Sequence, residues 1–572
     1  MEVSMNSRKS RYTCVLISVI IIFFLNSAAN PDTLTDQVDK LFAAWDKPDS
    51  PGCALGIIKD GEFIYRRGYG MANLEHNIPI SSQSIFRIGS TSKQFTAMCI
   101  ALLEEQGQIS VDDSIRKYLP EMPGYANDIK IRHLIHHTSG IRDYLTLWSI
   151  AGARDDDFFI DPEVVDLLAR QKELNFKPGD EFLYSNSGYF LLSQIVKRVT
   201  GKSMRAYAEE NIFKPLGMKN THFHDDHTMI VKNRAAGYSP VKGGRFVIRM
   251  TTLDMIGDGG IFTCVDDLLL WDHNFYENKL GKGHPELIAR ILTPGTLNNG
   301  EKLDYAFGLG VSDYKGLKMV SHGGAFVGFR ADMIRFPEQR FTVICLANLN
   351  RINPSQLARK VADIYLAEQF KEDVTQKEPP RKPDFIKLSE DELKEKTGAF
   401  RNPKTGTIWK IALKKGKLEV DTSRYRFSLS PLSKTEFLAV DAPVEVAVEF
   451  LKPDESSPML IRARTGEGEP STFEPVRLVS PTEEQLREYV GEYYSEELQV
   501  AYKLILKDGK LFMIHENRYK DYPDSPLQPT LSDEFMVAGL QMNFFRGEKD
   551  EVSSYTVNAG RVKNIRFVKK IQ

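Results

Sequence analysis

Ile85-Phe86-Arg87-Ile88-Gly89-Ser90-Thr91-Ser92-Lys93-Gln94-Phe95-Thr96-Ala97 is the stretch around which the chain is organised. An apolar run ends at Gly89, and helical spacing takes over through Phe95, Met98, Leu102 and Leu103. That reading puts Ser90 at the head of a helix and Lys93 one turn along the same face. A serine hydroxyl becomes a good nucleophile only when a base takes its proton and the developing charge is stabilised. A helix N-terminus supplies part of that field, and a lysine taken out of water can serve as the base. Ser90 is therefore the candidate nucleophile and Lys93 its candidate base.

Around this stretch the sequence divides into regions. The 572 residues exceed one core, and 42% hydrophobic with 27% charged residues is ordinary globular composition. A formal net charge of −2 gives no footprint for nucleic acid or for an anionic membrane. Residues 1–29 have the layout of a secretory signal peptide: Arg8, Lys9 and Arg11, an uncharged run from Tyr12 to Leu25, then small residues to Ala29. The alternative is an uncleaved anchor, against which the short apolar run counts. A secreted or periplasmic protein is expected. Cys53, Cys99, Cys264 and Cys345 are widely spaced in apolar surroundings, the pattern of buried thiols, although spacing alone leaves a disulfide open.

Residues 30–370 read as one domain. A helix is expected from Leu34 to Trp45, then a hairpin of Cys53 to Lys59 and Glu62 to Tyr65 across Asp60-Gly61. Asn186-Ser187 should cap a helix ending at Gly201, and Thr263-x-x-Asp266 should form a capping box. Strands return at Lys318–Ser321, Phe326–Arg335 and Phe341–Leu346, followed by a helix from Pro354 to about Phe370. Strands at both ends with helices between them predict a sheet whose first and last strands pair beside a helical subdomain.

Residues 371–389, rich in Lys, Glu and Pro, read as a linker. Beyond it, Leu393, Gly398, Leu413, Gly416, Lys417 and Leu418 recur 93 positions later as Leu486, Gly491, Leu506, Gly509, Lys510 and Leu511. With alternating apolar and polar residues between, residues 390–479 and 480–572 read as two small antiparallel β-barrels.

A lone Ser-x-x-Lys is weak evidence, since about two are expected by chance in such a chain. Ser312-Asp313-Tyr314-Lys315 is another occurrence, read as a polar loop. Tyr-x-Asn occurs at Tyr125, Tyr184 and Tyr276, but only Tyr184-Ser185-Asn186 follows a Pro-Gly-Asp turn and opens a helix. A phenol at Tyr184 near Lys93 can shuttle a proton, and Asn186 can hold a substrate amide. For the opposite wall, Lys404-Thr405-Gly406 and Lys242-Gly243-Gly244 read as turns. His322-Gly323-Gly324-Ala325 instead ends a strand, and its glycines let backbone amides face a ligand. The amides of Ser90 and Ala325 then become the candidate oxyanion hole.

These segments, with His137-Thr138-Ser139-Gly140 and Pro215-Leu216-Gly217-Met218, occur in an order that resembles the serine β-lactamase-related, penicillin-recognising hydrolases. That family includes class C β-lactamases, DD-peptidases, certain esterases and D-aminopeptidases. The resemblance spans about Thr33 to Phe370. It implies an antiparallel sheet flanked by helices, acylation of Ser90, and proton handling by Lys93 and Tyr184. It further implies substrate orientation by Asn186 and hydrolysis of the acyl-enzyme by water, while His322, Gly324 and Ala325 remain substrate-binding candidates from their own place at the end of a strand. Two barrels after such a domain are similar to the D-aminopeptidase layout, in which a barrel loop reaches toward the site. His322 departs from the lysine of β-lactamases and DD-peptidases. Without that fixed charge, amides or esters lacking a carboxylate are the expected substrates. A small molecule or short peptide is the expected partner, and no cofactor or metal is implied.

Two other readings stand beside this one. His222-Phe223-His224-Asp225-Asp226-His227 fits the His-x-His-x-Asp-His zinc pattern, in which His222, His224, Asp226 and His227 would activate water. A non-catalytic receptor or scaffold would keep the same pocket for binding alone.

Overall fold

The structure, a computed structural model, describes residues 33–570 apart from 155–156, 371–384, 423–424, 440–441, 443–445, 453, 455, 466–469 and 516–524. The signal-peptide reading of residues 1–29 and most of the linker reading thus lie outside the described residues.

The hairpin expected at Asp60-Gly61 is present: β1 (Cys53–Lys59) and β2 (Glu62–Tyr69) join through two residues of positive φ, 53° and 87°. The helix α2 (Lys93–Glu105) is buried on every side from Lys93 to Leu103. A helix clothed in apolar residues all round belongs in a core, and here it is the axis of the helical subdomain. Ser90 is not in α2 itself but in a tight 3-10 turn, Gly89–Ser92, that leads into it.

The sheet is completed from the far end of the domain. β3 (Gly310–Tyr314), β4 (Leu317–Phe326), β5 (Phe329–Phe336) and β6 (Phe341–Ala347) run antiparallel, and β6 pairs with β1, Cys53 opposite Ala347. The order is β3-β4-β5-β6-β1-β2, so first and last strands meet as expected. Alternation along β1 and β6 sends Leu55, Ile57, Val343 and Cys345 to one face, against α1 (Leu34–Phe42) and a C-terminal helix, Pro354–Tyr365. Ala54, Ile58, Ile344 and Leu346 go to the other face and join the core around α2.

Several local expectations are corrected. β4 does not stop at Ser321 but runs through His322-Gly323-Gly324-Ala325 to Phe326, which turns the glycine motif into the rim of the sheet. The capping box at Thr263 does not form, because Thr263 is held in a short strand and its hydroxyl meets Thr221 Oγ1 at 2.7 Å. Asn186 and Ser187 open the helix Asn186–Thr200 without capping it. Asn186 N donates to Asp143 Oδ2, and Ser187 Oγ donates to Arg142 O. Ser312-Asp313-Tyr314 is β3, an edge strand, and Lys315 beside it pairs with Asp363. The four described cysteines are buried free thiols.

The 93-residue repeat corresponds to two similar starts. Capping boxes at Ser389 and Thr482 open the helices Glu390–Lys394 and Glu483–Arg487, and Gly398 and Gly491 follow in extended strands. Eight strands from Gly398–Arg401 to Ser471–Val476 close into a barrel. The second copy is a nine-stranded antiparallel sheet. Its segment Ser525–Pro529 pairs with one edge through Ser525–Pro526 and with the other through Gln528–Pro529, so it too curls on itself.

The second barrel docks on the helical subdomain. Arg142 is 1% exposed and its Nη1 meets Glu497 Oε1 at 2.5 Å, while its Nε donates to Lys563 O at 2.9 Å. Asn175 clasps the same turn, its Nδ2 donating to Arg561 O and its Oδ1 accepting from Lys563 N. Val562 is fully buried there.

Candidate active site

Two close approaches build the site. Gly89 has φ of +53°, and a Cβ on it would stand 2.8 Å from Ala325 N. A Cβ on Gly324 would stand 1.8 Å from Ile88 O. Only glycines let β4 press its backbone against the Ser90 turn. Thr91 Oγ1 donates to His322 O at 3.0 Å and straps the two together, and Ser92 Oγ accepts from Ile261 N on the other side. Ser90, Gly324 and Ala325 thereby share one wall of a cavity of about 760 Å³.

Lys93 is fully buried behind Ser90 and Asn186, which line the cavity. Its Nζ lies 3.0 Å from Ser90 Oγ, 2.9 Å from Asn186 Oδ1 and 2.6 Å from the Asp258 carbonyl. An ammonium has three hydrogens, and each finds an acceptor here. With one proton gone, the two oxygens hold the remaining hydrogens and the lone pair points at the serine. This is the geometry a base for Ser90 requires.

Tyr184 lines the same cavity, with Lys93 Nζ 4.9 Å from its ring centre. Its buried hydroxyl has no hydrogen-bond partner among the described residues, so it approaches Lys93 without bonding to it. His137 packs on the Tyr184 ring at 4.1 Å between centroids, and its Nδ1 accepts from Ser185 N, fixing the turn that carries the phenol.

His322 lies on β4 facing the cavity. Its Nδ1 is 2.7 Å from Gly323 O, a pure acceptor, so Nδ1 carries the proton and Nε2 accepts from the Tyr305 hydroxyl at 2.9 Å. Burial, reinforced by Lys93, pushes its pKa down to about 3. The ring is neutral and both nitrogens are engaged. Burial also raises the carboxyl of Asp258, whose Oδ2 accepts from Tyr144 OH.

All seven candidate site residues, Ser90, Lys93, Tyr184, Asn186, His322, Gly324 and Ala325, thus meet in one place. Residues 38–368 match the Beta-lactamase family, more than half of the chain. The chain belongs to the beta-lactamase family. Similar curated proteins include the penicillin-binding protein 4* of Bacillus subtilis (strain 168), 33% identical over half of this chain and 66% of that protein. A D-aminopeptidase of Gluconobacter oxydans (strain 621H) is 29% identical over 54% of this chain and 57% of that protein. The chain therefore spans between 57 and 66% of the length of these relatives. Among solved structures, the octameric penicillin-binding protein homologue from Pyrococcus abyssi superposes with a TM-score of 0.54 and 26% identity, covering 77% of this chain and 99% of that one.

The beta-lactamase-family site also contains the Asp258 carbonyl, Tyr305 and Arg561 from the second barrel, which sequence reading missed, and His137, which it read only as part of a family motif. The Gly257-Asp258-Gly259-Gly260 run was a visible cue for the first. The residues of the zinc reading do not converge. His222 Nε2 contacts His224 Nδ1 at 3.2 Å, His227 Nδ1 turns to Asp254 at 2.8 Å, and Asp226 is bonded to Thr228. Among the described residues no group of three or more His, Cys, Asp or Glu side chains is arranged to hold a metal.

Proposed function

We propose that the protein is an exported serine hydrolase that cleaves amide bonds of small D-amino-acid substrates through an acyl-enzyme on Ser90. The observation that carries this reading is the buried Lys93 amine, 3.0 Å from Ser90 Oγ and held by Asn186 and Asp258, which as the neutral form has a lone pair free for the serine. In the forward step Lys93 takes the hydroxyl proton as Ser90 Oγ bonds to the carbonyl carbon. The amides of Ser90 and Ala325 receive the oxyanion. Tyr184 passes a proton to the departing nitrogen, and water then releases the acyl group by the same route in reverse. The D-aminopeptidase relatives support the choice of D-amino-acid amides, and residues 1–29 support export. Esters share the same first step and are expected to react.

The test is the intact mass of the full chain after incubation with D-amino-acid amides, simple esters and β-lactams. A mass gain mapped to Ser90, with release of the matching acid, is the expected result. Labelling without turnover would instead favour the receptor reading, and no labelling of any kind would refute the proposal.

A further inference from the structure

The Tyr184 phenol is held by its ring, not by its tip. Its buried hydroxyl has no hydrogen-bond partner among the described residues, so what presses on the ring sets where the hydroxyl points. A tyrosine side chain turns about two bonds, and with an unbonded tip only ring contacts restrict them. The His137 ring packs 4.1 Å away between centroids, and Lys93 Nζ lies over the ring at 4.9 Å. A further contact comes from another domain: the guanidinium carbon of Arg561 stands over the ring, 4.7 Å from its centre.

A fixed loop delivers Arg561 there, between the strands Val552–Asn558 and Ile565–Lys569 of the second barrel. Asn175 Nδ2 donates to Arg561 O at 2.9 Å, and Ala559 N donates to Val562 O at 2.8 Å. Arg142 donates to Lys563 O and Asn564 O, which ties the following main chain to the helical subdomain. The guanidinium meets no carboxylate among the described residues, which leaves it to the ring. The other two arginines lining the cavity are placed differently. Arg330 Nη1 is taken by the carbonyls of Val327 and Phe329. Arg351 follows β6 in the run that leads to the helix Pro354–Tyr365, with no aromatic ring beneath it among the described residues.

A cation over a ring face is attracted to the neutral phenol, and more strongly once the ring has given up a proton and carries a full negative charge. In the step proposed above, the C–N bond breaks and its electron pair stays on nitrogen. The Tyr184 O–H bond breaks, an N–H bond forms, and the phenolate recovers a proton from Lys93, which took it from Ser90. We infer that Arg561, supplied by the second barrel, is a positioning residue for this transfer. It fixes the Tyr184 ring and balances the charge the phenol bears in passing, so amide hydrolysis depends on the second barrel and hydrolysis of activated esters does not. The inference rests on the proposed Ser90 chemistry. Esters supply the contrast, because a nitrophenolate leaves without a proton and an anilide nitrogen needs one.

The test measures kcat/KM of the full chain for D-alanine p-nitroanilide and for D-alanine p-nitrophenyl ester, which share one acyl group and differ in the leaving group. This ratio reports the steps up to acylation. Arg561→Gln is expected to lower the anilide value at least about fivefold and to leave the ester value within about twofold, and Arg561→Lys to recover part of the loss. A merely structural arginine would move both substrates together. In a Tyr184→Phe background, Arg561→Gln should have no further effect on the anilide, because it acts through that phenol. Equal losses on both substrates, no loss on the anilide, no recovery in Arg561→Lys, or a loss that adds to that of Tyr184→Phe would each overturn the inference. The same split in Arg351→Gln would overturn it too, by assigning the effect to cavity charge in general, as would absence of anilide turnover by the unmutated chain. Failure of the Ser90 reading shows separately, as absence of a fluorophosphonate adduct on the unmutated chain.

Discussion

At the scale of single residues the account turns on how the Lys93 amine is held. Removing it leaves Ser90 without a base, and removing the Tyr184 hydroxyl leaves the departing nitrogen without a proton. Lys93→Ala and Tyr184→Phe are each expected to lower the acylation rate on the order of a hundredfold or more, read by time-resolved intact mass. His322 behaves differently. Its proton on Nδ1 and its engaged Nε2 keep it neutral, with a pKa near about 3. The pH–rate profile between pH 5 and 8 should therefore keep its shape in His322→Gln. A limb near pH 6.5 that vanishes in the variant would show that the ring titrates.

Ser90, Lys93, Tyr184, Asn186 and the β4 motif were legible because each sits in a short local pattern. A hydroxyl follows a glycine before a helical run, an aromatic follows a turn, and a glycine pair ends an apolar run. The Asp258 carbonyl and Arg561 had no such pattern. They reach the site by long-range packing, Asp258 across 165 positions from Lys93, and no local spacing encodes that. The role of His322 was half legible: its identity was plain, but the Tyr305 and Gly323 contacts that fix its tautomer are not in its neighbourhood's composition.

At the scale of elements, the site depends on one strand touching one turn. β4 reaches Ser90 only because Gly324 has no side chain, a Cβ there falling 1.8 Å from the Ile88 carbonyl. Gly324→Ala should force β4 away from the turn, destabilise the fold by about 1–3 kcal/mol or more, and reduce Ser90 labelling at least about tenfold. Gly323→Ala is the control, since its Cβ would meet nothing closer than Ser355 Oγ at 3.3 Å and should be tolerated. Thermal melts and labelling rates of the pair separate local crowding from loss of the site. The hairpin at Asp60-Gly61 and the closure of β1 on β6 were readable from turn chemistry and alternation. The extension of β4 through its glycines was not, because glycine in a strand reads as an ending unless a neighbouring backbone claims the space.

At the scale of the whole molecule, the second barrel belongs to the site through a buried ion pair. Arg142 and Glu497 are 1% and 5% exposed at their side chains, and truncating one strands the other's charge. Arg142→Ala is expected to cost about 3–5 kcal/mol and to release the loop bearing Arg561, seen as faster proteolysis of the C-terminal region. Acid should loosen the molecule generally. Burial lowers His133, His136, His137, His222, His224 and His322, so between about pH 6.5 and their folded values the unfolded chain binds more protons. Their contribution is complete above pH 6.5 and falls away as pH drops. Asp161, Asp258 and Asp332, raised by burial, act in the opposite sense above pH 3.8 but are fewer. Calorimetric Tm should therefore fall by several degrees or more between pH 7.5 and pH 4.5, and a Tm that rises over that range would contradict the assignment. The repeat that announced two barrels was visible in six residues. Which barrel meets the site was not, because the Arg142–Glu497 contact joins positions 355 apart.

The central claim, that Ser90 is a nucleophile activated by Lys93, is tested most directly by treating the full chain with a fluorophosphonate and measuring its intact mass and modified peptide. The account predicts one adduct on Ser90 in the unmutated chain, none in Ser90→Ala, and labelling slowed about a hundredfold in Lys93→Ala with the fold unchanged. An adduct that persists in Ser90→Ala, or labelling at an undiminished rate in Lys93→Ala, would contradict it.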